Sequence, residues 1–83
     1  MKKYLVDVYL PAVGKHYDVF LPTGKSIEEA EQLLAGMLEN VSNGSYKATL
    51  DAMLLDANTG VPFNRSYTVY DAGIRNSSKL ILI

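Results

Sequence analysis

The side chains that could do chemistry are few in this sequence. His16 is the only histidine and there is no cysteine. A two-histidine metal site, a thiolate zinc or iron–sulfur site and a cysteine nucleophile are therefore excluded. We expect His16 to be an exposed or half-buried residue early in a strand rather than a catalytic base.

The residues Gly-Lys-Ser at 24–26, just before a helical pattern, resemble the end of a phosphate-binding loop. That loop needs an upstream glycine at position 19, where this chain has Val19. Without it, the cradle of backbone amides that binds phosphate is missing. We expect no nucleotide or other cofactor here.

Carboxylates cluster in the same region and could be imagined as an acid–base pair. Helix capping and a solvated helix face explain them without catalysis. Asp51 and Asp56 lack a basic or nucleophilic partner nearby in the sequence. We therefore expect no enzyme, no catalytic residue and no metal site. The helical carboxylates are Glu28, Glu29, Glu31 and Glu39.

The composition is that of one small domain. The chain has 83 residues, of which 48% are hydrophobic and 20% charged, with a formal net charge of −1. Nothing offers the concentrated basic surface that nucleic acid requires. No apolar run approaches the ~20 residues of a membrane-spanning helix, and no signal peptide follows the first lysines. We expect a single cytoplasmic domain over residues 1–83, with no direct membrane insertion and no nucleic-acid partner.

Two segments near the N-terminus read as a β-hairpin. Residues 4–10 and 16–21 alternate and are rich in β-branched and aromatic types, which suit strands. Pro11 and Gly14 lie between them and mark a turn. The inward-facing sets are predicted to be Tyr4, Val6, Val8 and Leu10 on the first strand, and Tyr17, Val19 and Leu21 on the second.

A helix is predicted over residues 27–41. Ser26 and Glu29 have the spacing of a capping box, in which each side chain satisfies the backbone amide of the other. Asn43-Gly44 supplies the stop, because both tolerate the left-handed conformation. An apolar stripe at helical spacing should face the core. Its members are Ile27, Ala30, Leu33, Leu34, Met37, Leu38 and Val41.

The remaining segments give weaker signals. Residues 42–49 have no clear period and are predicted to be a loop. Residues 50–57 fit a third strand, although they would also permit a helical turn. Residues 58–60 predict a turn, residues 61–63 a short or edge segment because of the proline, and residues 79–83 a final strand. A hairpin, a helix and further strands indicate an α+β domain with one helix across a mixed sheet.

The last third of the chain resembles ubiquitin. Residues 68–82 follow that family's pattern of Thr, an aliphatic residue, Asp, Ile, a polar turn and alternating Leu, here Thr68, Val69, Asp71, Ile74, Leu80 and Leu82. Gly14-Lys15 and Ser26-Ile27 match the tip of its first hairpin and the start of its helix. The resemblance implies the β-grasp fold, with the first and last strands adjacent, parallel and central.

Two departures from ubiquitin shape the functional expectation. Residues 42–67 match poorly, and the sequence has no Gly-Gly after Ile83, which conjugation and sulfur-carrier chemistry need. In size and missing tail the chain is similar to the YukD/EsaB-type proteins of bacterial type VII secretion. That implies a non-conjugating adaptor that binds another protein, such as a membrane secretion component, or itself. The alternative is a ubiquitin-like modifier or sulfur carrier whose tail is supplied in another context.

Strand alternation also predicts an interaction surface. If the even-numbered residues of the first and last strands face the helix, then apolar odd-numbered residues face away from it. They are expected to form one contiguous patch, which Phe20 on the second strand extends. Large exposed apolar patches mark interaction surfaces. The alternatives are that residues 50–57 or the long loop cover this face, or that the residues are scattered surface aliphatics. The candidates are Leu5, Tyr9, Phe20, Ile81 and Ile83, with Leu54 or Leu55 as a further member.

Overall fold

A computed structural model describes residues 2–83 and contains four strands and one helix. The strands form one mixed sheet in the order β2-β1-β4-β3, in which β1 pairs antiparallel with β2 and parallel with β4. The predicted central pair of first and last strands is thereby confirmed. The elements are β1 (Lys3–Leu10), β2 (Lys15–Pro22), α1 (Ile27–Val41), β3 (Leu54–Asp56) and β4 (Lys79–Leu82).

The β1–β2 hairpin follows from its alternating pattern and its turn. The register runs without interruption from the pair Lys3 and Pro22 to the pair Leu10 and Lys15. Gly14 adopts φ +64°, a conformation that glycine reaches without strain, and its amide donates to the Leu10 carbonyl at 2.9 Å. This turn fixes the register and therefore which face of the sheet each side chain occupies.

Both ends of α1 are capped at the residues that the sequence predicts. The Glu29 amide donates to Ser26 Oγ and the Ser26 amide donates to Glu29 Oε1, each at 3.1 Å. Beyond the helix, Asn43 and Gly44 have positive φ angles, and the Gly44 amide donates to the Glu39 carbonyl at 3.0 Å. These contacts satisfy backbone groups that a helix end would leave without partners. The predicted range 27–41 is confirmed.

Part of the predicted apolar stripe of α1 is buried as predicted, but two of its members are exposed. Ile27, Leu34 and Leu38 are fully buried, whereas Leu33 is 41% and Val41 59% exposed. At roughly 100° per residue, Leu33 lies too far round the helix to reach the sheet. The position facing the core beside Ile27 is instead occupied by the carboxylate of Glu31, which is buried rather than solvated as predicted.

Two short hydrogen bonds offset the free-energy cost of burying the Glu31 carboxylate. Its Oε2 accepts from the Leu54 amide and its Oε1 from Arg65 Nε, both at 2.8 Å. A buried carboxylate is tolerated when it is paired and hydrogen-bonded. Glu31 therefore fastens the helix to β3 and to the segment that carries Arg65.

The third strand is shorter than predicted from residues 50–57. Only Leu54–Asp56 is regular, and Leu50 is 83% exposed. A turn precedes the strand, because the amides of Asp51 and Ala52 donate to the Thr49 hydroxyl and carbonyl. Strand pairing can start only where that turn ends.

The predicted turn and short segment after β3 are confirmed. Gly60 has φ +73°, and its amide donates to the Asp56 carbonyl at 2.7 Å. Pro62 then forms an isolated bridge with Leu55, which is as much pairing as an edge proline permits.

Buried apolar residues fill the space between α1 and the inner face of the sheet. Most come from the strands and the helix, and Val69 and Ile74 come from the segment before β4. Tyr46 adds a buried side chain from the segment predicted to be an unpatterned loop. The core therefore lies on one side of the sheet, and α1 does not cover the other side.

Candidate protein-interaction surface

Strand alternation turns every second residue of β1 and β4 away from the helix. Val6, Val8 and Leu80 are buried against α1. Their neighbours in the chain consequently lie on the opposite side, which we call the outer sheet face. It carries Lys3, Leu5, Asp7, Tyr9, His16, Asp18, Phe20, Leu55, Lys79 and Ile81, and Ile83 continues it beyond the end of β4.

All five predicted interaction residues lie on this face. Leu5 is 42%, Phe20 53% and Ile83 54% exposed. Tyr9 and Ile81 are partly exposed. Of the two candidates on the third strand, Leu55 is the one on this face. Leu54 is buried, whereas Leu55 is directly opposite Ile81.

The structure brings these residues together as two groups rather than as one patch. Leu5 and Phe20 are directly opposite on neighbouring strands and form the Leu5 group. Tyr9 pairs with Ile81, Ile81 with Leu55, and Ile83 follows; these four form the Ile81 group. A polar row of Asp18, Asp7 and Lys79 runs across three strands between the two groups.

The Leu5 group is held in place by its surroundings. Lys3 Nζ lies 4.7 Å from the centre of the Phe20 ring. The Leu5 amide donates to Asn76 Oδ1 at 2.9 Å, and its carbonyl accepts from the Ser77 amide at 2.7 Å. Leu5 is thus presented on backbone that the turn before β4 fixes, which lowers the entropic cost of binding.

The polar row has an unfavourable charge arrangement. Asp7 and Asp18 are directly opposite each other, a placement that destabilises an antiparallel pair. His16 Nδ1 lies 3.0 Å from Asp7 Oδ1 and offsets part of this repulsion when protonated. A shallow depression of about 340 Å³ includes both carboxylates and Lys79 in its lining. The row therefore offers charged contacts between two apolar anchors.

The Gly-Lys-Ser sequence acts as a helix start. The hydroxyl of Ser26 accepts from the Glu29 amide, and Lys25 Nζ lies 3.9 Å from Glu29 Oε2. Hydrogen bonds from the backbone and the side chain of Ser26 hold the pKa of Glu29 below its usual range. These polar groups are engaged with one another in the helix cap.

The possible metal-binding side chains are scattered across residues 2–83. Within that range, no three histidine, aspartate or glutamate side chains lie close enough to bind a metal ion. His16 is exposed and its nearest ring neighbour is Tyr9, 4.7 Å away between centroids. Across the same range, no helix has the length and apolar character needed to cross a bilayer.

Sequence reasoning missed the buried pair of Glu31 and Arg65. A signal was present for Glu31, because it lies four residues after Ile27 and three before Leu34, on the buried side of α1. Arg65 gave no comparable signal. Its partner is 34 positions away, across a segment with no regular period.

Comparisons with known proteins identify the fold. No protein-family model and no curated protein sequence matches the chain. Among solved structures, the ubiquitin-like domain of the Mycobacterium tuberculosis type VII secretion protein EccD1 shares 16% identity, with a TM-score of 0.76 over 100% of this chain and 99% of that one. The EccD5 ubiquitin-like domain from Mycobacterium xenopi shares 15% identity, with a TM-score of 0.81 over 100% and 94%.

A third similar structure belongs to a larger assembly. A chain of the ESX-5 inner membrane complex shares 13% identity at a TM-score of 0.80, and the match covers 100% of this chain but 21% of that one. The fold also recurs in an enzyme assembly, since a chain of the toluene 4-monooxygenase HD complex matches at a TM-score of 0.73 and 11% identity, over 98% of this chain and 96% of that one. Fold alone therefore does not define the activity.

These likenesses and the strand order establish the fold class: the chain has the ubiquitin-like β-grasp fold, of the α+β type. Within that class, its structural neighbours include the ubiquitin-like domains of type VII secretion proteins.

Proposed function

We propose that this domain is a protein-interaction module, and that it acts as an accessory or regulatory component of a bacterial secretion apparatus on the cytoplasmic side. The observation that carries the proposal is the outer sheet face, on which α1 leaves Leu5, Phe20 and Ile83 about half exposed. Antiparallel strands that face water normally alternate with polar residues on that side. Apolar residues there favour binding to another protein.

The two-group layout supports recognition rather than non-specific adhesion. The Leu5 and Ile81 groups can each anchor an apolar side chain of a partner, and the polar row between them fixes its register. Burial of a few hundred Å² of apolar surface, at about 25 cal/mol per Å², suffices for a transient interface after the costs of association.

The link to secretion rests on similarity of structure. The EccD1 and EccD5 domains and the chain of the ESX-5 inner membrane complex have this fold over the full length of the present chain. We infer a partner in a membrane secretion assembly, bound through a protein contact. The proposed role is binding rather than catalysis, as the engaged polar groups of the helix cap and the exposed His16 suggest.

The double variant Leu5→Lys/Ile81→Lys tests this function, because it places a charge in each apolar group. Affinity capture with chemical cross-linking from host membranes should recover a secretion component with the wild-type domain and lose it with the double variant. Val61→Lys is the matched control, since Val61 is 59% exposed and lies in the turn region after β3. A double variant that folds, as judged by circular dichroism, and retains the partner would refute the assignment of this face.

A further inference from the structure

A second unoccupied surface lies on the other side of the molecule, along α1. The helix residues that point away from the sheet are all exposed. We call this side the outer helix face, and it comprises Glu28, Glu29, Gln32, Leu33, Gly36 and Asn40. It is separated from the outer sheet face by the core and the sheet.

Leu33 makes this face partly apolar. It is 41% exposed although it lies in the middle of the helix. Together with Lys25, Glu28, Glu29 and Gln32 it lines a depression of about 450 Å³ over the N-terminal half of α1. Long polar side chains contribute aliphatic stems to such walls. The depression is shallow, so an apolar side chain of a partner can pack on Leu33 and on these stems, beside charged groups.

Gly36 is an independent feature of the same face. Glycine weakens a helix interior, and here the fold gains nothing from it. Its φ is not positive, and no heavy atom lies within 4 Å of the position that a Cβ would take. It is three residues after Leu33 and thus adjacent to it on the helix surface. A missing side chain at this point allows the backbone of another helix to approach closely.

The charge of the face determines what can dock there. Residues 27–41 contain no lysine or arginine, and Glu28 and Glu29 stand at the rim of the depression. Lys25 is the one cation in the lining, and it lies 3.9 Å from Glu29. A second copy of this chain docking through the same face would oppose glutamates to glutamates, which is unfavourable.

From these observations we propose that the outer helix face binds a cationic amphipathic helix of another protein. The partner helix crosses α1 at Gly36 and places an aliphatic side chain against Leu33. Its lysine or arginine residues meet Glu28 and the Oε2 atom of Glu29, because Oε1 of Glu29 is engaged with Ser26 in the helix cap. The domain then has two binding faces, and this second face goes beyond the proposed function because it uses none of the outer-sheet residues.

A synthetic peptide tests the proposal directly. The probe has leucines along one face flanked by lysines and about 18 residues, because shorter isolated helices are marginal in water. Its binding to the ¹⁵N-labelled domain is followed by chemical-shift changes. We expect chemical-shift changes on the exposed side of residues 25–40, weakened as NaCl rises from about 50 to about 500 mM. The same peptide with glutamate in place of lysine should bind at least about tenfold more weakly.

Matched protein variants separate this face from the fold. Gly36→Gln should reduce affinity for the lysine peptide about tenfold or more, because its side chain fills the crossing point. Its circular dichroism melt should not fall below wild type, since glutamine is a better helix former and the space is open. Leu33→Gln should weaken binding similarly, and Val61→Gln, which removes an exposed apolar side chain elsewhere, should leave it unchanged.

Three results would overturn the proposal: no binding of the lysine peptide, shifts confined to the outer sheet face, or an affinity unaffected by Gly36→Gln. None of these results would refute the proposed function, because that function rests on the outer sheet face and is tested separately with the Leu5→Lys/Ile81→Lys variant. Conversely, peptide binding at α1 that survives that double variant would support two independent faces.

Discussion

Glu31 shows how a single residue can tie three parts of the fold together. Its carboxylate is completely buried, yet its two partners come from β3 and from residue 65, far along the chain. The two members of the ion pair differ in environment, since the side chain of Arg65 is 47% exposed and that of Glu31 only 1%. Removing the arginine should therefore cost more than removing the glutamate. Water can solvate an arginine that has lost its partner, but it cannot reach the buried glutamate.

We predict that Arg65→Met costs about 3–5 kcal/mol, since it leaves a buried carboxylate without its cation. Urea denaturation at neutral pH measures the loss. Adding Glu31→Gln to this variant should recover part of the loss by removing the uncompensated charge, as a double-mutant cycle would show. Lys25→Met is the matched control, because it breaks an exposed pair and should cost less than about 1 kcal/mol. An Arg65→Met protein as stable as Lys25→Met would show that the buried pair is not structural.

At the scale of the elements, local signals determined how much was predictable. The capping box of α1 and the alternating strands of the hairpin act within a few residues of sequence, and both were predicted with correct bounds or nearly so. Residues 42–67 were predicted only in part. The turn at 58–60 and the short segment at 61–63 carry local signals, whereas the rest of this region depends on distant contacts. Tyr46 packs into a core built by other elements, and Arg65 is held by Glu31. The residues of the outer sheet face could be predicted from the alternation of side chains along each strand. Their division into two groups could not, because it depends on which residues of neighbouring strands are paired, here Asp7 with Asp18 and Lys79.

The cap of α1 should make stability depend on pH. Hydrogen bonds from Ser26 lower the pKa of Glu29 in the folded state, so the ionised carboxylate stabilises the fold above its usual pKa. That contribution is lost as the pH falls through the lowered pKa. We predict that wild type is more stable than Glu29→Gln at neutral pH and that this advantage shrinks steadily as the pH is lowered through and below the usual range of a glutamate carboxyl. Urea titrations of both proteins across this range test it; an advantage that grows on acidification would contradict the assignment.

The buried and exposed sides of α1 can be compared through adjacent leucines. Leu34 is fully buried and Leu33 is 41% exposed. We predict that Leu34→Ala costs about 2–5 kcal/mol, through lost burial and a residual cavity, and leaves the domain close to unfolding. Leu33→Ala should cost less than about 1 kcal/mol, because its face is solvated in the monomer. Thermal melts of the two variants decide this, and equal losses would mean that the helix is rotated relative to the structure described here.

At the scale of the whole molecule, the central parallel pair joins the two ends of the chain. β1 and β4 lie side by side between β2 and β3, so neither is an edge strand. The alternation that buries Val8 and Leu80 also exposes Leu5 and Ile83. One sheet thus supplies the core on one face and the proposed binding surface on the other.

This architecture makes a prediction about local stability. Amides within β1 and β4 exchange only when the sheet opens, so they should be the most protected in native-state hydrogen exchange. The protection should extend past β4 to Ile83, because the Ile83 amide donates to the Met53 carbonyl and the Met53 amide donates back, both at 3.0 Å. The amides of Lys47 and Leu50, in an exposed segment, should exchange far faster. If residues 80–83 exchange as fast as Lys47, then β4 is not a central strand, and neither the Ile81 group nor the outer sheet face exists as described.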